Sequence, residues 1–308
     1  MMKSIYISSC VPDGGVWRCG FDGETLSKRD FSPVGRVMYT ARESDTIYAV
    51  ALEPDSLESF VVQAKLTDGR PGTFGGRIRT GRESCFIDVR DGDFYTADYS
   101  SAGVTKNGAR TVTHTGCGSD PSRQEAPHPH QALLSPDGRY VLVCDLGLDR
   151  VFVYDRELTL VSQADAPKGQ GIRHLVFAPD GKQVYAVNEL GCSVTEFRWS
   201  DGELTALRTT PFPCAGKSYA GAVRLSENGD LLFISLRGDD TIAVYAREEK
   251  GLRLLRSFPC GGCWPRDFVV CGDRLLVANE RSGNVCAMDF YGEIKSEISV
   301  PAPLCVMV

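Results

Sequence analysis

The chain has no run of 18 consecutive apolar residues, so no segment qualifies as a membrane-spanning helix. It also has no stretch in which apolar residues recur at sustained helical spacing, which predicts little helix. Positive charge is not in excess. Lys and Arg number 34 against 40 Asp and Glu, for a net charge of −6. That balance argues against nucleic acid or an anionic membrane as the main partner. The N-terminus, MMKSIYISSC, lacks an apolar core long enough for a secretion signal. Together these absences lead to the expectation of a cytoplasmic protein. Histidine is scarce, with four in 308 residues, so each can be weighed on its own.

Cysteine, by contrast, is plentiful at twelve. Cys144, Cys192, Cys271 and Cys286 lie in or beside apolar runs, where a free thiol acts as a small buried hydrophobe. Cys260-Gly-Gly-Cys263 has C-x-x-C spacing, but a structural zinc site needs a second pair or a histidine nearby, and Cys271 is the only neighbour in sequence. The pair enters a strand, whereas a redox motif opens a helix. No metal and no cofactor is expected.

What the chain does have is repetition. SPDGRYVLVCDLGLDRVFVYD starts at Ser135, APDGKQVYAVNELGCSVTEFR at Ala178, SENGDLLFISLRGDDTIAVYA at Ser226 and CGDRLLVANERSGNVCAMDF at Cys271; the starts are 43, 48 and 45 residues apart. Each unit reads as a short apolar run, a turn, a run rich in β-branched and aromatic residues, a second turn, and an alternating strand. Asp137-Gly138, Asp180-Gly181 and Asn228-Gly229 supply the positive-φ positions of tight turns. A period of 40 to 50 residues containing several strands marks a β-propeller blade. Ser4–Ser8, Thr46–Ala51 and Phe94–Tyr99 read as second strands of three further units. The predicted fold is therefore all-β: a seven-bladed β-propeller of four-stranded antiparallel blades. Residues 1–308 form one domain, and the apolar tail Glu297–Val308 supplies a strand to the first blade and closes the ring.

Aligned on their turns, the units place His130, Arg173, Gly221 and Arg266 at one position, the start of the innermost strand. Leu146, Glu189, Arg237 and Glu280 fall at another, just past the end of the second strand. Antiparallel neighbours bring these two positions to the same end of the ring, at the mouth of the central channel. Three arginines, a histidine and two glutamates from different blades are expensive to bury without a purpose, so a ligand site is expected there. His128 shares a face with His130 and is an accessory candidate. His174 follows Arg173 on a strand, so alternation points it to the opposite face, as a packed histidine at a strand start that still lies within reach of a ligand. His114, among Thr, Gly and Ser, is assigned nothing. Asp145, Asn188 and Asn279 end second strands and are the only hint of a weak cation site.

The segments HPHQALLSPDG, GIRHLVFAPDG followed by VYAVNELGCSV, SLRGDDTIAVY, and PRDF with LLVANERSGNV resemble the seven-bladed lactonase family. That family includes propeller-type 6-phosphogluconolactonases and 3-carboxymuconate lactonizing enzymes. The resemblance spans about residues 126–290, recurs in VPAPLCV, and weakens through residues 1–125. It implies a metal-independent enzyme acting on a lactone ring. The family's active-site histidine falls on His130, its G-x-R-H arginine on Arg173, its N-E glutamate on Glu189 and its S-x-R-G arginine on Arg237. These four are the expected catalytic residues, with His128, His174, Lys217, Arg266 and Glu280 as substrate-binding candidates. Two features depart from the family: Phe86 stands in the third blade where a polar residue is common, and the chain is short.

The activity these residues imply is hydrolysis of a sugar lactone, 6-phosphogluconolactone foremost. Glu189 or His130 would act as general base, and Arg173 and Arg237 would hold an oxyanion or a phosphate. The alternatives are a muconate-type lactone cycloisomerase and a non-catalytic propeller that binds a metabolite or protein. The expected partner is a small phosphorylated lactone, with no nucleic acid and no membrane, and the chain is expected to be a monomer or weak homo-oligomer.

Overall fold

The computed structural model describes residues 2–308. The alternating runs form seven antiparallel sheets. The fourth blade shows how a unit is assembled. Pro129–Leu134 is innermost, followed outward by Tyr140–Asp145, Arg150–Asp155 and Leu160–Asp165. The next three blades repeat the pattern from Ile172–Phe177, Tyr219–Leu225 and Pro265–Cys271. Helix is confined to one 3-10 turn, Tyr99–Ser101.

The first half holds the remaining three blades, with Lys3–Ser9, Thr46–Leu52 and Asp93–Asp98 as second strands. The second blade is irregular: Gly75–Arg82 pairs its third strand, Glu58–Thr67, on the outside, beside the short Arg70–Pro71. The tail divides. Ile294–Ser299 is the outer strand of the seventh blade, and Pro303–Met307 crosses to pair with Lys3–Ser9, in register Tyr6↔Met307 and Ile7↔Val306. The innermost strand of the first blade is thus the last strand of the chain.

Blades cohere because each sheet buries both faces against its neighbours. The core is accordingly seven apolar clusters, one per blade junction. Leu142, Val153, Leu175 and Phe197 pack between the fourth and fifth blades, and Ile5, Ile7, Leu276 and Val285 join the seventh to the first. Every cysteine is a free thiol. Cys144, Cys192, Cys271 and Cys286 are buried in these clusters, as is Cys260, whereas Cys263 is only half-buried. The turns differ slightly from expectation. In Asp137-Gly138 only the glycine has positive φ, at 72°, whereas Asp91 and Gly92 both do, at 55° and 79°. A two-residue turn of that kind lies in the third blade, where Asp93 pairs directly with Arg90, and recurs at Asp68-Gly69 and Asp201-Gly202.

Candidate active site

One irregularity recurs in every blade and builds the site. Where the innermost strand starts, its register against the second strand slips, leaving Met38, Cys85, His130, Arg173, Gly221 with Ala222, and Arg266 unpaired in turn. In the first blade the slip falls on the closing strand, at Leu304 and Cys305. A bulge frees a residue from the ladder and re-aims its side chain. Met38, Cys85, His130 and Arg266 line a cavity of about 340 Å³ at the channel mouth, with Glu83, Tyr99, Arg123, Glu189, Tyr219, Arg237 and Trp264. That volume suits a small metabolite. Arg173 lies just beneath, with His174, Tyr39, Asp267 and Leu304.

Glu189 organises the charges. Its Oε2 lies 2.6 Å from Arg237 Nη2 and 3.1 Å from Arg173 Nε. Its Oε1 accepts a 2.6 Å hydrogen bond from Arg123 Nη2. Burial opposes its charge, but Arg237 and Arg173 outweigh that cost and hold the carboxyl far below its ordinary 4.5. The arginines are also tied to backbone: Arg173 Nη1 donates to Gly221 O at 2.6 Å and Arg237 Nη2 to Ala220 O at 2.9 Å. Gly221 has no side chain because a Cβ there would meet Ser235 Oγ at 2.5 Å and Pro265 O at 2.9 Å.

His130 is the counterpart. It is buried, and its Nδ1 has no hydrogen-bond partner among the described residues. Burial, then the charge of Arg173, holds its pKa well below 6.5 against the pull of Glu189, so at neutral pH the ring is uncharged with a free lone pair. Glu189, hydrogen-bonded by Arg123 and ion-paired with Arg173 and Arg237, is by contrast a poor proton acceptor. Of the two groups expected from sequence as bases, His130 is the uncharged one and Glu189 is the carboxylate on which the arginines converge.

The other candidates separate. Arg266 and Glu280 are half-buried and face each other at 3.7 Å. His128 does not line the cavity. It stacks behind Tyr99, ring centroids 4.3 Å apart, with Nδ1 3.1 Å from the Tyr99 carbonyl. Lys217 is exposed in the loop after Phe212 and is not part of the cavity wall. The expectation that His174 faces away from Arg173 is overturned, because the Arg173 bulge breaks the alternation. Both side chains enter the channel, and the His174 ring lies 5.1 Å from that of His130. Phe86 pairs with Ala97 beside the bulged Cys85 and packs 5.5 Å from the His174 ring, so the third blade presents Cys85 to the cavity. The second-strand ends turn into their own blades. Asp145 pairs with His114 at 2.5 Å, Asn188 donates to Ser193 and Thr195, and Asn279 donates to the Cys260 carbonyl. His114, given no role from sequence, is thereby a buried link whose other nitrogen lies 2.9 Å from Tyr154 OH.

Sequence reading missed Arg123, Tyr99, Tyr219 and Trp264. Tyr99 occupies in the third blade the position of Glu189 in the fifth, a signal available from the repeat alignment. Tyr219 opens an innermost strand and Trp264 immediately precedes one. Arg123 sits in the loop between Thr113 and Pro129, outside every repeat.

With the ring and this mouth defined, the chain can be placed: it belongs to the lactonase family of seven-bladed β-propellers. The family model described as Lactonase, 7-bladed beta-propeller, matches residues 15–308. Membership makes the protein a lactonase by class. It is similar to the 6-phosphogluconolactonase of Bacillus subtilis, 30% identical with 98% of this chain and 97% of the relative covered. A crystallised protein from Lactobacillus plantarum shares the fold with a TM-score of 0.90 at 26% identity, covering 99% of each chain. The periplasmic gluconolactonase of Pseudomonas aeruginosa shares it at 0.89 and 24% identity, covering 100% of this chain and 99% of that one.

Proposed function

We propose that the protein hydrolyses a sugar δ-lactone, 6-phosphogluconolactone foremost, to the open hydroxy acid without a metal ion. The observation that carries this reading is an uncharged buried imidazole, His130, lining a cavity walled by arginines. The name of the Bacillus subtilis relative, similar along the whole chain, fits it. Water placed against His130 gives up a proton to the imidazole as its oxygen bonds to the lactone carbonyl carbon. The carbonyl oxygen becomes an oxyanion, for which the guanidinium groups of Arg173 and Arg237 supply preorganised donors in a site shielded from solvent. When the intermediate collapses, the bond to the ring oxygen breaks, and that oxygen takes the proton back from the imidazolium. Glu189 keeps the arginines close together while remaining ionised.

Metal independence is supported by the donor set. Among the described residues no three His, Cys, Asp or Glu side chains gather as a metal site would require, and the carboxylate nearest the arginines is already engaged by them. The test is hydrolysis of freshly prepared lactone, followed by base uptake, before and after a chelator. Turnover well above the spontaneous rate and unchanged by chelator is expected. Turnover abolished by chelator and restored by a divalent cation would overturn the metal-free part of the reading.

A further inference from the structure

Three arginines (Arg123, Arg237 and Arg266) and two carboxylates (Glu83 and Glu189) line the cavity, with Arg173 beneath it facing Glu189 and Glu280 behind it facing Arg266. The arginines are not equivalent. Arg173 and Arg237 are only 2% and 3% exposed and donate to backbone carbonyls as well as facing Glu189. Arg123 comes from a different part of the chain, with a side chain a third exposed. It reaches across from the connection between the third and fourth blades to Glu189 of the fifth, and its guanidinium lies 5.7 Å from the ring of Tyr219 in the sixth. Nη2 bonds Glu189, and the Tyr99 side chain is a second partner of the same guanidinium, whose fork carries further donors.

This loop is built to hold that arginine. Gln124, the next residue, is fully buried. Its Nε2 donates to Leu146 O and to Asp149 Oδ1, each at 2.8 Å, and its Oε1 accepts from the backbone N–H of Ser119 and Asp120. Asp149 in turn accepts from Gly169 and Gly171, each at 2.6 Å. The anchor ties the loop to the turn ahead of Arg173, whose Gly171 carbonyl accepts from the Glu189 backbone N–H at 2.7 Å, which leaves Arg123 little freedom of approach.

We propose that Arg123 is the residue through which this site selects a lactone bearing a phosphate ester, with Gln124 as its positioning residue. The inference rests on the lactonase reading of the same cavity. In a six-carbon δ-lactone the ester-bearing carbon hangs from the ring carbon that shares the ring oxygen with the carbonyl, so the phosphate sits on a short arm beside the reacting end of the ring. With the carbonyl beside His130, Arg173 and Arg237, that arm falls within reach of Arg123, which shares Glu189 with the other two arginines but has a side chain a third exposed. A phosphate monoester carries about −1.5 to −2 charges at neutral pH and matches a guanidinium fork in two parallel hydrogen bonds. Arg123 then exchanges the Glu189 carboxylate for the phosphate, and Arg173 and Arg237 continue to neutralise Glu189.

The test compares wild type, Arg123→Ala, Arg123→Lys and Gln124→Ala on 6-phosphogluconolactone and on unphosphorylated gluconolactone. Arg123→Ala is expected to lower kcat/KM for the phosphorylated lactone about 10- to 100-fold, mostly through KM. The unphosphorylated lactone should lose several-fold less, so the readout is the preference between the two lactones and not the activity on either alone. Arg123→Lys should recover part of the loss, and Gln124→Ala should lower the same preference with folding retained by circular dichroism. An equal loss on both lactones, or none on either, overturns the proposal. If wild type hydrolyses neither lactone, the lactonase reading fails, and this one is decided by calorimetric binding of 6-phosphogluconate against gluconate. A preference for the phosphorylated acid that Arg123→Ala removes supports it; no preference overturns it.

Discussion

An imidazole buried among guanidinium groups stays uncharged at pH values where a solvated one takes a proton. For His130 this predicts that the acid limb of the pH dependence of kcat/KM lies below 6.5, since burial and Arg173 lower its pKa; a limb above 6.5 would remove it as the base. Replacing it by alanine should lower kcat by roughly 10²- to 10⁴-fold, the range for a lost general base, with the melting temperature little changed. Glu189→Gln is a different experiment. It strips the common counter-charge from buried arginines and should cost about 3–5 kcal/mol of stability, as breaking a buried ion pair does; urea unfolding measures it. His130→Ala is therefore the cleaner catalytic probe. At this scale the sequence was readable where chemistry repeats. His130, Arg173, Glu189 and Arg237 stood out because four units could be laid over one another. Arg123 did not, because its loop has no counterpart in other blades. His174 was misplaced because a bulge, which a residue pattern does not reveal, cancelled the alternation.

The element that makes the site is the bulge at the head of each innermost strand. It turns a strand start, whose residue would otherwise lie in the ladder, into a position aimed at the channel, and the ring repeats it seven times with different side chains. His130, Arg173 and Arg266 at three blades, Gly221 at a fourth, and Met38, Cys85 and Leu304 at the other three make one side of the mouth charged and the other apolar. The first-half positions escaped the sequence reading because Met38 and Cys85 carry no charge to draw notice. Gly221 is where the bulge is most tightly fitted. Gly221→Ala would push a methyl into Ser235 Oγ and the Pro265 carbonyl and should cost about 1–3 kcal/mol, as overpacking does. Denaturant midpoints should show that loss together with a fall in kcat, because the Gly221 carbonyl holds Arg173. An unchanged midpoint would mean that the bulge relaxes freely.

For the molecule as a whole, closure and protonation set stability. Blade number was legible from the period, and the apolar tail pointed to closure, but which tail residues close the ring was not, since strand pairing between chain ends leaves no local pattern. Removing residues 303–308 would bare the edge of Lys3–Ser9 and open the junction between the seventh and first blades. Loss of a single cooperative unfolding transition, or aggregation, is expected; a variant that unfolds like wild type would show that the strand is dispensable. Acid should destabilise the protein in a defined order. His130 and His174 have native pKa values lowered well below 6.5, so as pH falls through 6.5 the unfolded chain binds protons that the native state refuses. Stability falls with pH there. Glu189, lowered from 4.5, adds a second loss of the same sign below that value. Asp98, raised from 3.8 to about 6, acts in the opposite direction between those values and partly offsets the first. Melting temperatures from pH 7 to 4 should decline, and less steeply in a His130→Gln variant.

The central claim is that this mouth opens a phosphorylated sugar lactone with His130 as base, and the most direct test is base uptake during hydrolysis of fresh 6-phosphogluconolactone by wild type and His130→Ala. The account predicts rapid turnover by wild type and a rate close to spontaneous for a folded His130→Ala protein. Equal rates for the two, or no turnover by wild type, would contradict it.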